Sequence, residues 1–475
     1  MIENQSPLKR PRLASRENVH PAPGSPWSLS YHLADYNSPL HPNDPFQSPT
    51  TSWTDGFSED PGYLASQEEL RCILFTLANS TAPTRVSSPD PIEHTQPQPQ
   101  TPLTNETQIQ YLKNYITEIA PWLDMFDTQC TFRQQVPLLA RTFPALSYAM
   151  LAISARQIER KTGVRNWFDS LELYQEAIRH LSPLLQLRDP KIIAACVLLC
   201  CLEMMSARAQ DWRRHLEGCA ALFESFGITG FSEGLLRAVF WCFARMDLCG
   251  ALISDGTQTT LLHPSKWIPE GEDARGIFQR FKSPDMHANY AVYLCVKSTE
   301  LISDRTKFVE LNEPNDCTAV NFSTRWITLW NDLQHWLSDR PNELLPVQTV
   351  NKKPFPRILF IHWAAISSTQ LYHTACILLL KMKPKNIPLP QSPTLYPLWH
   401  ARHICGISLT NPHQGCLNNS IQPLWIAGQL FSHPSEHEQI IQLIQNIENE
   451  TGWGTCWRIR DLEIAWGVQV HSSTQ

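Results

Sequence analysis

The sequence lacks both an excess of basic residues and a long apolar run. Among its 475 residues, 39 Lys and Arg stand against 45 Asp and Glu, which gives a net charge of −6. This balance excludes a broad basic surface, so any contact with DNA must come from a small local patch or from another chain. The most apolar stretch, residues 192–205, covers 14 residues and contains Glu203, whereas a membrane-spanning helix needs about 20 residues. We therefore predict a buried helix there and no membrane partner.

Motifs for common enzyme chemistry are also missing. The chain has no P-loop, no G-x-G-x-x-G, no G-x-S-x-G and no H-E-x-x-H, the patterns that hold phosphates, activate a serine or bind a catalytic zinc. No pair of carboxylates has a spacing typical of acid–base catalysis. The sequence thus predicts a protein that is not an enzyme and holds no cofactor in this chain.

Glycine is scarce relative to proline, with 18 glycines against 37 prolines. Sixteen of the prolines precede residue 103, in a segment that is also rich in Ser, Thr, Gln and Asn. Repeated Ser-Pro and Asp-Pro steps disfavour helix at the residue before each proline. Such a composition buries too little apolar area to offset the entropy of ordering the chain. We predict that residues 1–104 form a disordered arm rich in Pro, Ser and Thr.

One segment of this arm has a helical pattern. Ser66 and Glu69 form a capping box before apolar residues at helical spacing, which predicts a short amphipathic helix near residues 67–78. A helix of this length is unstable alone in water, so it must dock on the folded part or on a partner. Residues 53–60 mix aromatic and acidic side chains, which fits either a disordered activation segment or an ordinary linker.

From residue 105 onward, apolar residues recur at the spacing of α-helices. We predict an all-α domain over residues 105–470, a multi-helical array of about a dozen helices. A helix over residues 108–126 should bury Ile109, Leu112, Ile116, Ile119 and Leu123. Expected helix starts are Asp189, Asp211, Ser435 and Thr455, and Gly227 is an expected helix stop. Expected loops lie near residues 254–285, 309–321, 339–356 and 384–420.

The expected loop at 384–420 contains candidate metal ligands. They are His400, His403, Cys405, His413 and Cys416. Thiol and imidazole groups suit zinc, but these spacings match no standard zinc finger or ribbon. The alternatives are a metal site of a helical enzyme and a plain polar loop between helices.

A short basic cluster lies near the start of the sequence. Lys9, Arg10 and Arg12 follow one another between prolines. Three cations on an extended backbone suit the acidic groove of a nuclear import receptor, and they could also contact phosphates weakly. The cluster therefore favours a location in the nucleus.

Four segments in order resemble one known family. Residues 203–223, with Trp212, His215, Leu216 and Gly218, resemble the W-x-x-H-L-x-G-A segment of fungal-specific transcription factor regulatory domains. Residues 145–155 resemble the early helix of that domain, and residues 422–428 and 450–462 resemble its closing part. The resemblance covers residues 106–467. It implies an all-α domain in a nuclear transcriptional regulator, often of a metabolic or secondary-metabolite gene cluster, with the transcription machinery or another regulator as partner.

The chain departs from that family at its DNA-binding part. The binuclear zinc cluster of these proteins needs six cysteine thiolates, whereas only Cys72 precedes Cys130 here. We expect either a gene product that begins just past the cluster or a regulator that never binds DNA itself. Zinc is expected only if such a cluster precedes this sequence. A non-DNA-binding scaffold and a homodimer remain open alternatives.

The residues that carry the resemblance also have structural interpretations. Trp212, Trp453 and Trp457 are expected to be core anchors because an indole buries a large area. Glu203 and His215 are expected to form a buried polar contact, with ligand sensing as the alternative. Gly218 should permit close helix approach. Arg458 and Asp461 are three residues apart and can pair across one helical turn.

Overall fold

The computed structural model describes residues 56–79, 103–163, 168–184, 187–206, 209–253, 258–281 and 283–468. Lys9, Arg10 and Arg12, and most of the predicted arm, lie outside these residues. Within the described ranges the prediction of an all-α fold is confirmed, with nineteen α-helical segments and one pair of three-residue strands. None of the described helices has the length and the apolar character needed to span a membrane.

The α-helices are numbered here in chain order. They are α1 Pro61–Asn79, α2 Asn105–Asn114, α3 Ala120–Leu123, α4 Thr131–Gln134, α5 Val136–Ala140, α6 Pro144–Thr162, α7 Phe168–Leu181, α8 Pro190–Ser206, α9 Ala209–Ser225, α10 Gly234–Ile253, α11 Ala274–Arg280, α12 Pro284–Glu310, α13 Ala319–Ser338, α14 Trp363–Lys381, α15 Pro397–Thr410, α16 Gln414–Leu417, α17 Ile421–Gly428, α18 Pro434–Thr451 and α19 Cys456–Ala465.

Shorter elements connect these helices. A π-helical turn spans Tyr115–Ile119, and 3-10 turns span Phe57–Glu59, Ser182–Leu184, Pro264–Lys266, Asn342–Leu344, Pro393–Leu395 and Asn418–Ser420. The strands β1 Gln348–Val350 and β2 Arg357–Leu359 pair antiparallel, with Thr349 opposite Ile358.

The expected helix over residues 108–126 is interrupted by the π-helical turn. The wider turn shifts the following residues around the helix axis. The next segment, α3, begins at Ala120, and its second residue, Pro121, has no N–H to donate to the preceding turn. The buried face therefore carries Tyr111, Tyr115 and Ile119. The prediction that Ile109 is buried is wrong, since its side chain is 66% exposed.

Proline at the first helical position explains two wrong predictions of helix starts. Ser66 lies inside α1, because the helix starts at Pro61 and the Asp60 carboxylate accepts a hydrogen bond from Gly62 N at 2.7 Å. Ser435 lies inside α18, which starts at Pro434 with His433 as its N-cap. Proline suits this position because its missing N–H would have no helical partner there.

Other predicted helix boundaries can be compared directly. Asp189 precedes α8 as predicted, and its carboxylate accepts a hydrogen bond from Lys191 N at 2.9 Å. Gly227 ends α9 as predicted, with φ +63°. Asp211 is not a helix start, since α9 begins two residues earlier.

The expected loop at 384–420 is also wrong, because α15 and α16 occupy much of it. Gly406 lies within this expected loop but is part of α15, where a Cβ would come within 2.2 Å of the Pro356 carbonyl oxygen. The glycine therefore allows α15 to press against the chain just before β2. The candidate metal ligands consequently lie on helices or helix caps instead of on one flexible loop.

The hydrophobic core is continuous through the described helices. The predicted buried helix is α8, whose residues 192–203 are all buried. α8 packs against α6, α9 and α10, whereas α14 packs against α12, α13, α15 and α17. The first region described below includes α9, which packs on α8. The second includes α12 and α13, which pack on α14.

Candidate functional site

The first region is the contact of α1 with α9 and α7. Leu70 and Leu74 of α1 are fully buried, and the Tyr63 ring packs at a tilt against Tyr174 of α7 with ring centroids 5.5 Å apart. Phe57, just before α1, is also buried, with the Arg156 guanidinium 4.1 Å from its ring centre. Residues 57–79 of the expected arm therefore belong to the packed body, and Phe57 is neither in a linker nor in an exposed segment.

Gly218 allows the close approach of α1. A Cβ built on Gly218 would lie 2.7 Å from Leu74 Cβ, closer than two carbon atoms can pack. The expected helix–helix approach at Gly218 is present, and the approaching helix is α1. The motif glycine thus shapes the groove in which the predicted amphipathic helix docks.

A buried polar network joins α1 to the same groove. Glu203 is fully buried, and its Oε1 lies 2.7 Å from His215 Nδ1. Tyr174 donates a hydrogen bond to Glu203 Oε1 at 2.6 Å, and Gln67 of α1 donates to Oε2 at 2.9 Å. Because a carboxylate accepts, His215 carries its proton on Nδ1. We call Gln67, Leu74, Glu203, His215 and Gly218 the α1–α9 seam.

Burial fixes the protonation of one member of this network. Loss of hydration, followed by the nearby Glu203 carboxylate, raises the pKa of Tyr174 well above its usual value. Tyr174 therefore remains a donor at neutral pH. His215 Nε2 is buried and has no hydrogen-bond partner among the described residues. The expected Glu203–His215 contact is present.

The motif tryptophans differ in burial. Trp212 is 4% exposed, and its ring lies against Gly250 of α10, where a Cβ would come within 3.3 Å. Trp453 is half-buried and packs edge-on against Trp122 at 5.7 Å. Trp457 is also half-buried, so the expectation of a core anchor fits Trp212 but overstates the burial of the other two.

The closing part of the motif is organised around one buried arginine. The Arg458 guanidinium lies between the rings of Trp425 and Trp457, at 4.6 and 4.1 Å from their centres. It also donates to Gln422 at 2.6 Å and pairs with Asp461 at 3.1 Å. The Arg458–Asp461 contact expected from the spacing is present. Cation–π contacts of this kind stabilise the joint between α17 and α19.

His400 pairs with a histidine that the sequence pattern did not single out. His400 Nε2 lies 2.8 Å from the Thr394 carbonyl oxygen, so Nε2 donates and Nδ1 accepts. Nδ1 is 2.8 Å from His373 Nδ1, which must then be the donor. Burial lowers the pKa of His400 to about 4, so the ring is neutral at pH 7. The only sequence signal for His373 is an imidazole within the apolar run of α14.

Of the other candidate ligands, His413 Nδ1 and Cys416 Sγ lie 3.7 Å apart, and the His403 ring packs against His373 with centroids 5.2 Å apart. His403 Nδ1 lies 2.7 Å from the Trp399 carbonyl oxygen, and Cys405 is buried with a pKa raised well above normal by loss of hydration. His413 caps α16, and the Cys416 thiol donates to the Trp363 carbonyl oxygen at 3.4 Å. Among the described residues, no group of three or more His, Cys, Asp or Glu side chains is placed to hold a metal ion.

The second region is an open cleft between α11, α12 and α13. Its volume is about 560 Å³, and aromatic side chains form its walls. Phe278 stacks on Tyr290 with centroids 4.6 Å apart, and His287 stacks on Trp336 at 5.0 Å. Arg275, Gln279, His335 and Asp339 also line it. Sequence reasoning missed this region because it assigned residues 254–285 to a loop, whereas Asp273 caps the short helix α11.

Comparison with known proteins identifies the domain. The fungal-specific transcription factor domain matches residues 110–467. The chain belongs to this family. The transcription activator AMTR1 of Alternaria alternata is 24% identical to the chain, with 58% of this chain and 44% of that protein covered. The chain thus spans less than half the length of this relative. No solved structure matches the present chain significantly.

Membership in the fungal-specific transcription factor family assigns the matched helices to a transcription factor domain and not to an enzyme. The family segment includes α8, α9 and the closing helices, so the seam residues Glu203, His215 and Gly218 lie within it. α1 precedes the matched residues but packs on them. The packed body therefore begins earlier in the chain than the family match, which starts at residue 110.

Proposed function

We propose that this chain acts in the nucleus as a transcriptional regulator of a metabolic gene cluster, in particular one for a secondary metabolite. The observation that carries the proposal is the match of residues 110–467 to the fungal-specific transcription factor domain. A similar protein that is named as a transcription activator supports the same class. The basic residues Lys9, Arg10 and Arg12 support import into the nucleus.

The proposed mechanism relies on contacts of the helical body with other proteins. The net charge of the sequence is negative, which does not favour direct contact with DNA. The residues before Cys130 include a single cysteine, so they do not supply the six thiolates of a zinc cluster. The body binds the transcription machinery or another regulator, and DNA is reached through that partner or through a zinc cluster outside this sequence. The packed seam suits this role because it gives the body a defined shape.

The test of gene control is deletion of the gene followed by transcript sequencing. We expect a coordinated change in a run of neighbouring metabolic genes, restored by the full-length wild-type chain. Scattered changes without a neighbouring run would contradict control of a cluster, and unchanged transcripts would contradict the regulatory function.

The test of location is a fluorescent fusion of the full chain. Changing Lys9, Arg10 and Arg12 to Ala should lower the ratio of nuclear to cytoplasmic signal. The matched control changes Arg214, Lys352 and Lys385 to Ala, three exposed cations on the described body. Equal nuclear signal in both variants would reject the import role of the cluster, and a cytoplasmic wild-type chain would reject the nuclear location.

A further inference from the structure

The β1–β2 hairpin presents apolar side chains to solvent. Its register places Val350 of β1 and Leu359 of β2 on the same face, where they are 49% and 42% exposed. Ile361, two residues after Leu359, is 82% exposed, whereas Ile358 and Phe360 are buried on the opposite face. An antiparallel sheet that packs one face on a core normally turns polar residues to water on the other. An apolar outer face instead favours a surface that another molecule covers.

The outer edge of β1 is open. Ile358 of β2 turns its backbone towards α15, where its N–H donates to Thr410 Oγ1 at 3.3 Å and its carbonyl accepts from Asn411 Nδ2 at 2.7 Å. Thr349 lies opposite Ile358, and two residues opposed in this way direct their backbone groups away from each other. The N–H and C=O of Thr349 therefore point outwards, and β2 is the only strand that pairs with β1 within the described ranges. This edge can accept one further strand.

The hairpin lies in a stretch of sequence that has no carboxylates. From residue 344 to residue 435 there is no Asp or Glu, but there are seven Lys and Arg, although the whole chain has a net charge of −6. Lys352 and Lys353 are exposed between the two strands, and neither forms an ion pair with a described residue. Arg357 of β2 donates to the Leu409 carbonyl oxygen at 3.3 Å, which leaves its charge without a carboxylate. The hairpin is therefore a local basic surface on an acidic chain.

From these three features we infer that the hairpin binds an extended acidic segment of another protein, with apolar residues at alternate positions. The segment pairs with the open edge of β1 as a third strand. Because successive side chains of a strand point to opposite faces, every second residue of the segment reaches the outer face beside Val350 and Leu359. Carboxylates of the segment pair with Lys352 and Lys353.

A protein segment fits more of these features than nucleic acid does. Phosphates would use the lysines, but they have no use for an apolar face or for a strand edge. A partner of this kind deepens the proposed function, in which the helical body binds another regulator. Its identity as a regulator rests on that function, whereas the binding itself is a property of the purified chain.

The probe is a fluorescein-labelled peptide of about ten residues, the upper length of ordinary strands, in which Val alternates with Glu. Fluorescence anisotropy measures its binding to the purified full chain. We expect one saturable site per chain and weaker binding as the salt concentration rises. A peptide with Lys in place of Glu and a peptide with Ser in place of Val should each bind about tenfold more weakly, because one lacks the charge and the other the apolar contacts.

Charge reversal tests the two lysines. Lys352→Glu combined with Lys353→Glu should weaken binding of the Glu peptide about tenfold and strengthen binding of the Lys peptide. The matched control combines Lys113→Glu with Lys385→Glu, two exposed lysines on α2 and after α14, and should leave both affinities unchanged. A misfolded hairpin would not bind the Lys peptide more tightly, so the gain distinguishes a lost contact from a lost fold.

Ile361→Ser tests the apolar face. Since this side chain is 82% exposed, the fold should be kept while the Glu peptide binds about fivefold more weakly. The control Ile464→Ser removes an isoleucine of α19 that is 60% exposed, and it should leave the affinity unchanged.

Several results would overturn the inference. They are the absence of saturable binding, equal affinity for the Glu and Lys peptides, and an unchanged affinity in the double lysine variant or in Ile361→Ser. Binding of duplex DNA that is lost in the lysine variant, without binding of the Glu peptide, would assign the surface to nucleic acid. Self-association that is lost in Ile361→Ser, again without peptide binding, would assign it to a second copy. Unchanged transcripts after gene deletion would reject the regulatory function without affecting peptide binding, so the two failures are distinguishable.

Discussion

The α1–α9 seam and the α11–α13 cleft use similar residue types for opposite purposes. Both contain a histidine with a fixed proton and both are rich in aromatic rings. At the seam, Glu203 accepts hydrogen bonds from His215, Tyr174 and Gln67, and the His215 residue is only 2% exposed. At the cleft, His287 is half-buried and lies beside about 560 Å³ of open space. Both regions contain a histidine, and they differ in whether neighbouring helices cover the space beside it.

This contrast separates the residues that carry the family resemblance from the residues that line the open cleft. The residues that identify the family, such as Trp212 and Gly218, are occupied in packing helices together. The cleft has no residue of that motif among its lining. The residues of a family motif can therefore serve to pack the helices of a domain. The open surfaces of the same domain are formed by residues outside the motif.

The largest expected loss of stability follows from removing a buried motif residue, Trp212. Trp212→Ala removes a nearly fully buried indole and should lower the free energy of unfolding by about 4 kcal/mol. The control Trp457→Ala removes a half-buried ring and should cost about half as much. Chemical denaturation of both variants measures the difference. Equal losses would show that burial does not distinguish the two tryptophans.

Breaking the seam network should have the next largest effect. Glu203→Ala leaves His215, Tyr174 and Gln67 without their shared acceptor, and we expect a loss of about 3 kcal/mol. Glu203→Gln keeps an acceptor oxygen and should recover a large part of that loss. Thermal and denaturant unfolding provide the measurement. An alanine variant as stable as the wild type would mean that the network contributes nothing to stability.

The cleft histidine should produce a pH dependence with a defined sign. The pKa of His287 is lowered from 6.5 to about 4 in the folded state, so below pH 6.5 the unfolded chain binds a proton that the folded chain does not. The contribution of the neutral ring is fully present above pH 6.5, and the free energy of unfolding falls by about 3 kcal/mol as the pH is lowered to 4. His287→Phe should flatten this part of the stability curve, leaving the similar dependence of His400. An unchanged slope would contradict the desolvated, neutral ring.

A single methyl group should loosen α1 without disrupting the body. Gly218→Ala places a Cβ against Leu74 and should cost about 1 kcal/mol at the seam. Hydrogen exchange should accelerate in residues 61–79 while α12 and α14 stay protected. Glu217→Ala is the control, since Glu217 is the exposed neighbour on α9. Faster exchange throughout the body in Gly218→Ala would contradict a local role of the glycine.

The smallest effect is expected at the rim of the cleft. Arg275 is half-exposed and forms one long ion pair, so Arg275→Gln should change the free energy of unfolding by less than about 0.5 kcal/mol. Denaturant unfolding checks this value. A loss as large as that of Glu203→Ala would show that the cleft is a packed joint like the seam.

Sequence patterns predicted the helical class and several individual contacts correctly. The contact between Glu203 and His215 was expected because buried polar groups on successive helices usually satisfy each other. Helix starts were less reliable. Ser66 and Ser435 formed good capping patterns, but Pro61 and Pro434 began the helices earlier.

Other features depended on neighbours distant in the chain. Gly406 lets the Pro356 carbonyl oxygen approach α15 closely, and no local pattern around Gly406 indicates this contact. His373 and His400 are 27 residues apart and meet only because α14 and α15 pack together. The cleft likewise depends on how α11, α12 and α13 are arranged.

The sequence by itself determined that the body is helical, which family it belongs to and which polar groups had to find partners. These properties follow from local periodicity and from the cost of burying an unpaired polar atom. Only the tertiary structure decided that α1 closes one groove while the surface beside His287 stays open, because the space between helices is set by long-range packing that no short segment encodes.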